Sequence, residues 1–555
     1  MATPSATAFP AHGWTCWTRP RTWCSWNACR TCWRLPGRRW RGRPVPRREA
    51  AVGQRFGAGQ ERSARACTAA CGQAIQGGMT RRAGAAGSET RHEEERGMDA
   101  RVREWPLRDF SRYVDARPED GVLRMHLDLF RDPELFELEM RYIYERSWVF
   151  VGHAAQIPEP YDFITGVVGR TPIILQRGGD GQVRALLNHC SHRGAAVATT
   201  QAGNTQRHKC PYHGWMFDST GKCLQVADEA AGGYTDAFRG MSHDLPQVAR
   251  LEEYRGFFFA SLNPEVVPLR EYLGSAAVFI DSWVDQSPDG LEVVRGDANF
   301  TYGGNWKMVF ENCLDIYHAK TLHASFGTMV MNRMKRQGAD ANRSIDLNSF
   351  INADAEVSYY TFPHGHGGMW LRGAGKREDR PSYAMWQQMA ERFGEAKADM
   401  MVSGRVVAIF PNILLVESAT FQMRLLRPVS VDKTEVYAFC LAPKGEPPQA
   451  RALRIRQYED FFSATGVATP DDTVIYERCQ LGDQARSVEW NQGYHRGLAL
   501  LREGPDEAAR TVGIEPNHSI SGNIGIQGEA VYLGVYQGWL DQMQRGQAEV
   551  LGVQP

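Results

Sequence analysis

Four side chains limit the fold of this chain more than anything else in it. Cys190-Ser-His192 is followed, 17 residues later, by Cys210-Pro-Tyr-His213. A single thiol or imidazole is usually a packing group or a hydrogen-bonded ring. Two Cys and two His in C-x-H and C-x-x-H units supply four soft or borderline metal ligands from two facing loops. Arg193-Gly194 and Gly214-Trp215 frame both units as tight loops. Structural zinc is the competing occupant, although C-x-H is an uncommon zinc knuckle. Around these loops the chain reads as short strands and turns: Phe163-Ile-Thr-Gly-Val-Val-Gly, Pro172-Ile-Ile-Leu-Gln-Arg, Gly178-Gly-Asp-Gly and Ala185-Leu-Leu-Asn, with Gly256-Phe-Phe-Phe-Ala-Ser-Leu-Asn as the closing strand. A small β module is predicted over residues 148–263. Cys223 falls outside the ligand pattern and reads as a plain core or loop residue.

The rest of the 555 residues divides by composition. Lys and Arg total 64, as do Asp and Glu, so net charge gives no reason to expect nucleic acid or an anionic membrane as partner. No apolar run approaches the ~18–20 residues that span a bilayer. Residues 1–97 hold 17 Arg, no Lys, six Glu, six Cys and six Trp, but one Leu and one Ile. Such a segment lacks the apolar periodicity to pack and is expected to be disordered. Cys29-Thr-Ala-Cys32 has no second knuckle or His at zinc spacing, and no amphipathic stripe marks a transit peptide. Glu93-Glu-Glu-Arg-Gly97 before Met98 fits a purine-rich ribosome-binding tract, so Met98 is expected to be the natural start. Residues 98–147 read as loop plus helix, with Pro133 in a first helical turn. Residues 264–555 mix helices with β-rich stretches such as Val406-Val-Ala-Ile-Phe and Thr434-Glu-Val-Tyr-Ala-Phe-Cys-Leu. The fold class is α+β.

A second cluster of ligating residues lies in Gly304-Asn-Trp-Lys-Met-Val-Phe-Glu-Asn-Cys-Leu-Asp315-Ile-Tyr-His318-Ala-Lys-Thr-Leu-His323. On a helix, Met308, Val309, Phe310 and Leu314 would face the core, with Glu311, Asp315 and His318 on a related face. His318 and His323 would then stand about 140° apart, so one metal could join them only across a bulged turn or a helix end. Spacing alone leaves each His an ordinary core or surface residue.

The first cluster resembles the Rieske [2Fe–2S] signature, which implies that Cys190 and Cys210 hold one iron and His192 and His213 the other. The second, N-W-K-x3-E-N-x2-D-x-Y-H-x4-H, resembles the catalytic segment of Rieske-type aromatic-ring-hydroxylating oxygenases, large (α) subunit. That likeness implies a small all-β Rieske domain (148–263) inserted near the front of a larger helix-grip-like catalytic domain with an antiparallel sheet (98–147 and 264–555). It implies a mononuclear Fe(II) held by His318, His323 and a later Asp. Phe462-x3-Gly466-x5-Asp472 supplies the Asp, with Asp471 as the adjacent alternative. Asp315 is implied as an electron bridge between His318 and His213 of a neighbouring subunit. Residues 162–195 and 454–472 are most similar to the benzoate and toluate dioxygenase branch, whereas Cys313-Leu314 and residues 319–325 lean toward bulkier or substituted aryl acids. The resemblance thus implies an aromatic carboxylate, O2 and a cis-dihydrodiol product. It also implies a small β subunit, an α3β3 or α3 assembly and a bacterial cytoplasmic location. No G-x-G-x-x-G follows a strand, so NADH would act through a separate reductase, with or without a ferredoxin. Arg372 is a candidate partner for the substrate carboxylate, against the plainer reading of a surface or strand arginine. Two other outcomes stay open: a Rieske monooxygenase or O-demethylase, and a Rieske electron-transfer protein without catalysis.

Overall fold

The computed structural model describes residues 107–337, 355–418, 420–463, 466, 468–525 and 528–552. The expectations for residues 1–97, disorder and a start at Met98, lie outside the described residues.

Strands buried on both faces tie the small sheets to the large one. Asp162–Val168, Thr171–Arg177, Val183–Leu187 and Ala202–Asn204 form an antiparallel sheet in which Thr171–Arg177 is an inner strand. Its successive side chains serve different cores. Ile174 packs with Trp215, Phe217 and the two ligand cysteines, while Ile173 and Leu175 join the main core. Arg207–Lys209, Met216–Asp218 and Cys223–Gln225 make a second small sheet beneath the other ligand loop. The expected closing strand, Phe257–Ser261, is the middle strand between Arg250–Tyr254 and Val149–His153, and all five of its residues are buried. Phe257 and Phe259 face one cluster with Trp148 and Phe150; Phe258 and Ala260 face another.

Residues 107–147 are richer than loop plus helix. Val114–Arg117 and Val122–His126 form a hairpin extended by Trp490–Asn491. Leu123 and Met125 supply the period-two burial. The helix Pro133–Glu139 comes next, with Asp132 accepting a hydrogen bond from the Glu134 amide.

A ten-stranded antiparallel sheet organises the larger part. Its central strands are Lys433–Pro443, Phe421–Ser430, Ile413–Glu417, Gly404–Ile409, Gly367–Arg372 and Glu356–Thr361, in that order. Val407 and Ile409 face the helix Ala277–Val284, whereas Val406 and Ala408 face the helices Trp306–Leu314 and Tyr532–Leu551. Gly538 lets the last helix close on the chain, because a Cβ there would stand 2.1 Å from the Gly365 nitrogen. The Trp306–Leu314 helix is fixed by a buried ion pair, Lys307 Nζ to Glu139 Oε1 at 2.6 Å. The Trp306 and Trp539 indoles also donate to that carboxylate, at 3.0 and 2.8 Å. Satisfying the buried charge on all sides makes this pair a rigid mount for the chain beyond Leu314.

Candidate metal centres

Cys190-Ser-His192 and Cys210-Pro-Tyr-His213 fold as matching turns. The Gly194 amide donates to the Cys190 carbonyl at 2.8 Å and the Gly214 amide to the Cys210 carbonyl at 3.0 Å. Both glycines have φ of +75°, a conformation that favours glycine. The Cys190 and Cys210 amides donate to Ala195 and Trp215 carbonyls, at 2.9 and 2.8 Å. These bonds hold each unit in a tight turn, and Cys190 and Cys210 lie together in one core. The His192 and His213 rings lie 4.4 Å apart, and His192 stacks on Trp215 at 5.0 Å. Both thiols are free and buried, and burial, with Cys210 alongside, pushes the Cys190 thiol up. The Nδ1 atoms of His192 and His213 are buried without a hydrogen-bond partner among the described residues. Two orphaned nitrogens and two neighbouring thiols suit a cluster with mixed thiolate and imidazole ligation. Cys223 is half-buried and packs against this core.

The second site depends on where a helix stops. Asn305 caps the helix Trp306–Leu314 by accepting from the Lys307 amide at 3.1 Å, and the helix ends at Leu314. Asp315 is extended, and a single turn, Ala319–Leu322, comes after it with His318 and His323 at its two ends. That break removes the 140° divergence a continuous helix would impose. The rings of His318 and His323 come to 5.2 Å. Asp472, buried on the helix Ala468–Gly482, places Oδ1 3.7 Å from His318 Nε2 and 3.3 Å from His323 Nε2. One ligand atom from each residue lies within 4.8 Å of the others, which suits one metal ion. Asp471 turns aside: Oδ2 is 3.0 Å from Ser325 Oγ and 3.5 Å from His323 Nδ1. Asp315 Oδ2 lies 2.8 Å from His318 Nδ1, so a proton held there leaves the Nε2 lone pair facing Asp472. Burial alone would lower the His318 pKa, but the Asp315 hydrogen bond and the charges of Asp315 and Asp472 raise it.

Asn312, which spacing did not single out, donates toward both Asp472 Oδ1 and His318 Nε2 at 3.4 Å. Glu311 does not share the site. It points to the opposite side, where Tyr494 (3.1 Å) and Tyr536 donate to Oε1. The helix ends before Asp315, so the common face expected for Glu311, Asp315 and His318 does not exist.

A cavity of about 740 Å3 opens beside the His–His–Asp group, with Met369, Leu371, Val406, Val416, Phe461 and Phe462 among its walls. Arg372 is not in that wall. Strand alternation puts Met369 and Leu371 toward the cavity, and Arg372 turns away to pair with Glu356 (3.1 Å) and Ser358 (2.9 Å). The basic groups in the wall are instead Arg405, Arg424, Lys320 and Lys335.

Comparison with known proteins covers the two stretches of chain that hold these groups. Residues 147–248 match the Rieske [2Fe-2S] domain, and residues 281–513 match the ring hydroxylating alpha subunit (catalytic domain). The chain is 41% identical to toluate 1,2-dioxygenase subunit alpha of Pseudomonas putida, over 78% of this chain and 94% of that protein. It belongs to the Rieske ring-hydroxylating oxygenases, as an alpha subunit. With the 2-halobenzoate 1,2-dioxygenase large subunit of Burkholderia cepacia the oxygenase shares 37% identity, over 80% of this chain and 95% of that one. A naphthalene 1,2-dioxygenase structure with indole bound superposes with a TM-score of 0.64 at 26% identity, covering 76% of this chain and 92% of that one. The oxygenase is therefore an oxidoreductase that uses a Rieske [2Fe–2S] cluster and a mononuclear iron, and a supply of electrons from NADH through a reductase fits the family. The match to the catalytic domain removes the reading as a bare electron carrier.

Proposed function

We propose that this chain is the α subunit of a terminal dioxygenase that adds both atoms of O2 to a benzoate-type aromatic carboxylate, giving a cis-dihydrodiol. The observation that carries the reading is the convergence of His318, His323 and Asp472 beside an apolar cavity, in a chain 41% identical to a toluate 1,2-dioxygenase subunit. Cys190 and Cys210 hold one cluster iron, His192 and His213 the other, while His318, His323 and Asp472 hold the mononuclear iron. Bound there, the cluster supplies single electrons and the iron a site for O2 activation. The protein does the rest. Asp315 keeps a proton on His318 Nδ1 and orients the ring, and the cavity excludes water from the planar ring of the substrate. His213 of one subunit would meet Asp315 of the next, and electrons supplied by an NADH-dependent reductase would cross there. Residues 148–263 carry the cluster, and 264–555 with 98–147 carry the iron. The partners are a small β subunit in an α3β3 assembly, or other α subunits in an α3 one. No helix among the described residues is long and apolar enough to cross a membrane, and we place the enzyme in the bacterial cytoplasm with its NADH supply.

Product analysis tests this reading. Supplied with methyl- and halogen-substituted benzoates under isotope-labelled O2, the reconstituted system should release a cis-diol carrying two labels. A phenol or aldehyde with at most one label overturns it in favour of a monooxygenase or demethylase.

A further inference from the structure

Arg424 is the one Arg or Lys of the cavity wall, among the described residues, that is buried and has no carboxylate in contact. It lies on the strand Phe421–Ser430, is 4% exposed, and no described carboxylate comes within 4.0 Å of its guanidinium. Its contacts are neutral. Nε donates to Gln422 Oε1 at 2.5 Å and Nη1 to Cys313 Sγ at 3.3 Å. Burial pushes the Cys313 thiol up and keeps it uncharged, against the pull of Arg424. The other cavity cations are committed or outside. Arg405 is locked to Glu417 at 2.9 Å and to Ser282 at 2.8 Å, and Lys320 and Lys335 are exposed.

A guanidinium cannot shed its proton, and the charge of Asp472 favours it only from beyond ion-pair distance, so the buried fork has no carboxylate of the chain to bind. Its flat donor fork matches a carboxylate. Position matters as much as charge. Cys313, its partner, directly follows Asn312, whose Nδ2 is 3.4 Å from Asp472 Oδ1 and His318 Nε2. We propose that Arg424 binds the carboxylate of the substrate, and that an anchor so near the His–His–Asp group brings the carboxyl-bearing carbon and its neighbour to the reacting position. The inference rests on the aromatic-carboxylate reading above and adds what selects that class and its regiochemistry. Cys313 is then a neutral prop that holds the guanidinium without satisfying its charge.

Benzoate and benzamide, alike in shape and different in charge, are the probes, with the metal-loaded oxygenase and its reductase. Wild type should bind benzoate at least ~10-fold more tightly than benzamide. Arg424→Gln should weaken benzoate by about 30-fold or more while benzamide changes little, with iron content and the reduced-cluster spectrum unaltered. Arg424→Lys, which keeps the charge and loses the fork, should fall between and spread the hydroxylation over other ring positions. Arg372→Gln should match wild type. Should the glutamine variant fail to load metal, the lysine variant and the wild-type preference for benzoate carry the test. Unchanged benzoate affinity in a loaded Arg424 variant, or regiochemistry unmoved in the lysine variant, overturns the anchor and leaves the carboxylate reading standing. If wild type binds no benzoate yet turns over neutral arenes, the carboxylate reading falls and the anchor with it.

Discussion

Two adjacent aspartates differ here by where each side chain leaves the helix. Asp472 Oδ1 faces both Nε2 atoms, whereas Asp471 reaches Ser325 and the far side of His323. Asp472→Ala is therefore expected to lower iron from three to two per chain with the cluster absorption intact, and Asp471→Ala to leave three; metal analysis alongside the visible spectrum decides. Asp315→Asn should retain both centres and lower turnover by about 10–100-fold, read as slowed cluster oxidation by O2 in the presence of substrate. Glu311 offers a check away from the metals. Burial pushes its carboxyl up to about 7 from 4.5, opposed by Tyr536, Tyr494 and Lys307. Its pKa is thus raised in the folded state, so its contribution to stability is full below pH 4.5 and is lost as pH rises through about 7. Glu311→Gln cannot titrate. Its melting temperature relative to wild type should climb as pH rises across that window, and a flat difference would contradict the burial.

At the scale of elements, the legible parts were those whose chemistry repeats locally. The Cys–His loops announced themselves because each unit carries two ligands and a turn glycine within five residues of sequence. His318 and His323 did not, since the helix stops at Leu314 without a proline or glycine to mark it. The local signal is Asp315, whose carboxylate accepts from the Tyr317 and His318 amides in a turn that competes with the helix. The hairpin at 114–126 was overlooked because each strand is short and carries charged residues on its open face. Arg424 had a faint signal, an arginine inside the otherwise apolar run Met423-Arg-Leu-Leu, but neither its burial nor its neighbours could be read from it. The last helix provides an element-scale test. Gly538→Ala forces a Cβ onto the Gly365 backbone, so a loss of about 1–3 kcal/mol or more is expected, seen as a lower midpoint in denaturant, while Gly552→Ala at the helix end meets no atom within 4 Å and should cost less, limited to its positive φ.

Across the whole assembly, the route of electrons can be separated from the residues that carry them. Co-expressed His192→Ala and His318→Ala chains are each expected to lack one centre. Purified mixed trimers should regain activity if a cluster feeds its neighbour's iron; mixed trimers with every remaining centre filled and no turnover would refute transfer between subunits. The strand Phe257–Ser261 has a different reach. Phe257 and Phe259 lie with Trp148 and Phe150 in a core that also holds Tyr272, Leu273 and Ile409. Cut out at residues 148–263, the cluster-bearing piece would turn this aromatic layer to water and invite self-association. Grafting the piece onto another oxygenase would meet the same difficulty unless the receiving surface offered a matching apolar seat. The electron relay is in this respect no interchangeable cartridge: its solubility is underwritten by the scaffold it serves, and exchange between relatives should succeed in proportion to how well that one seam is preserved.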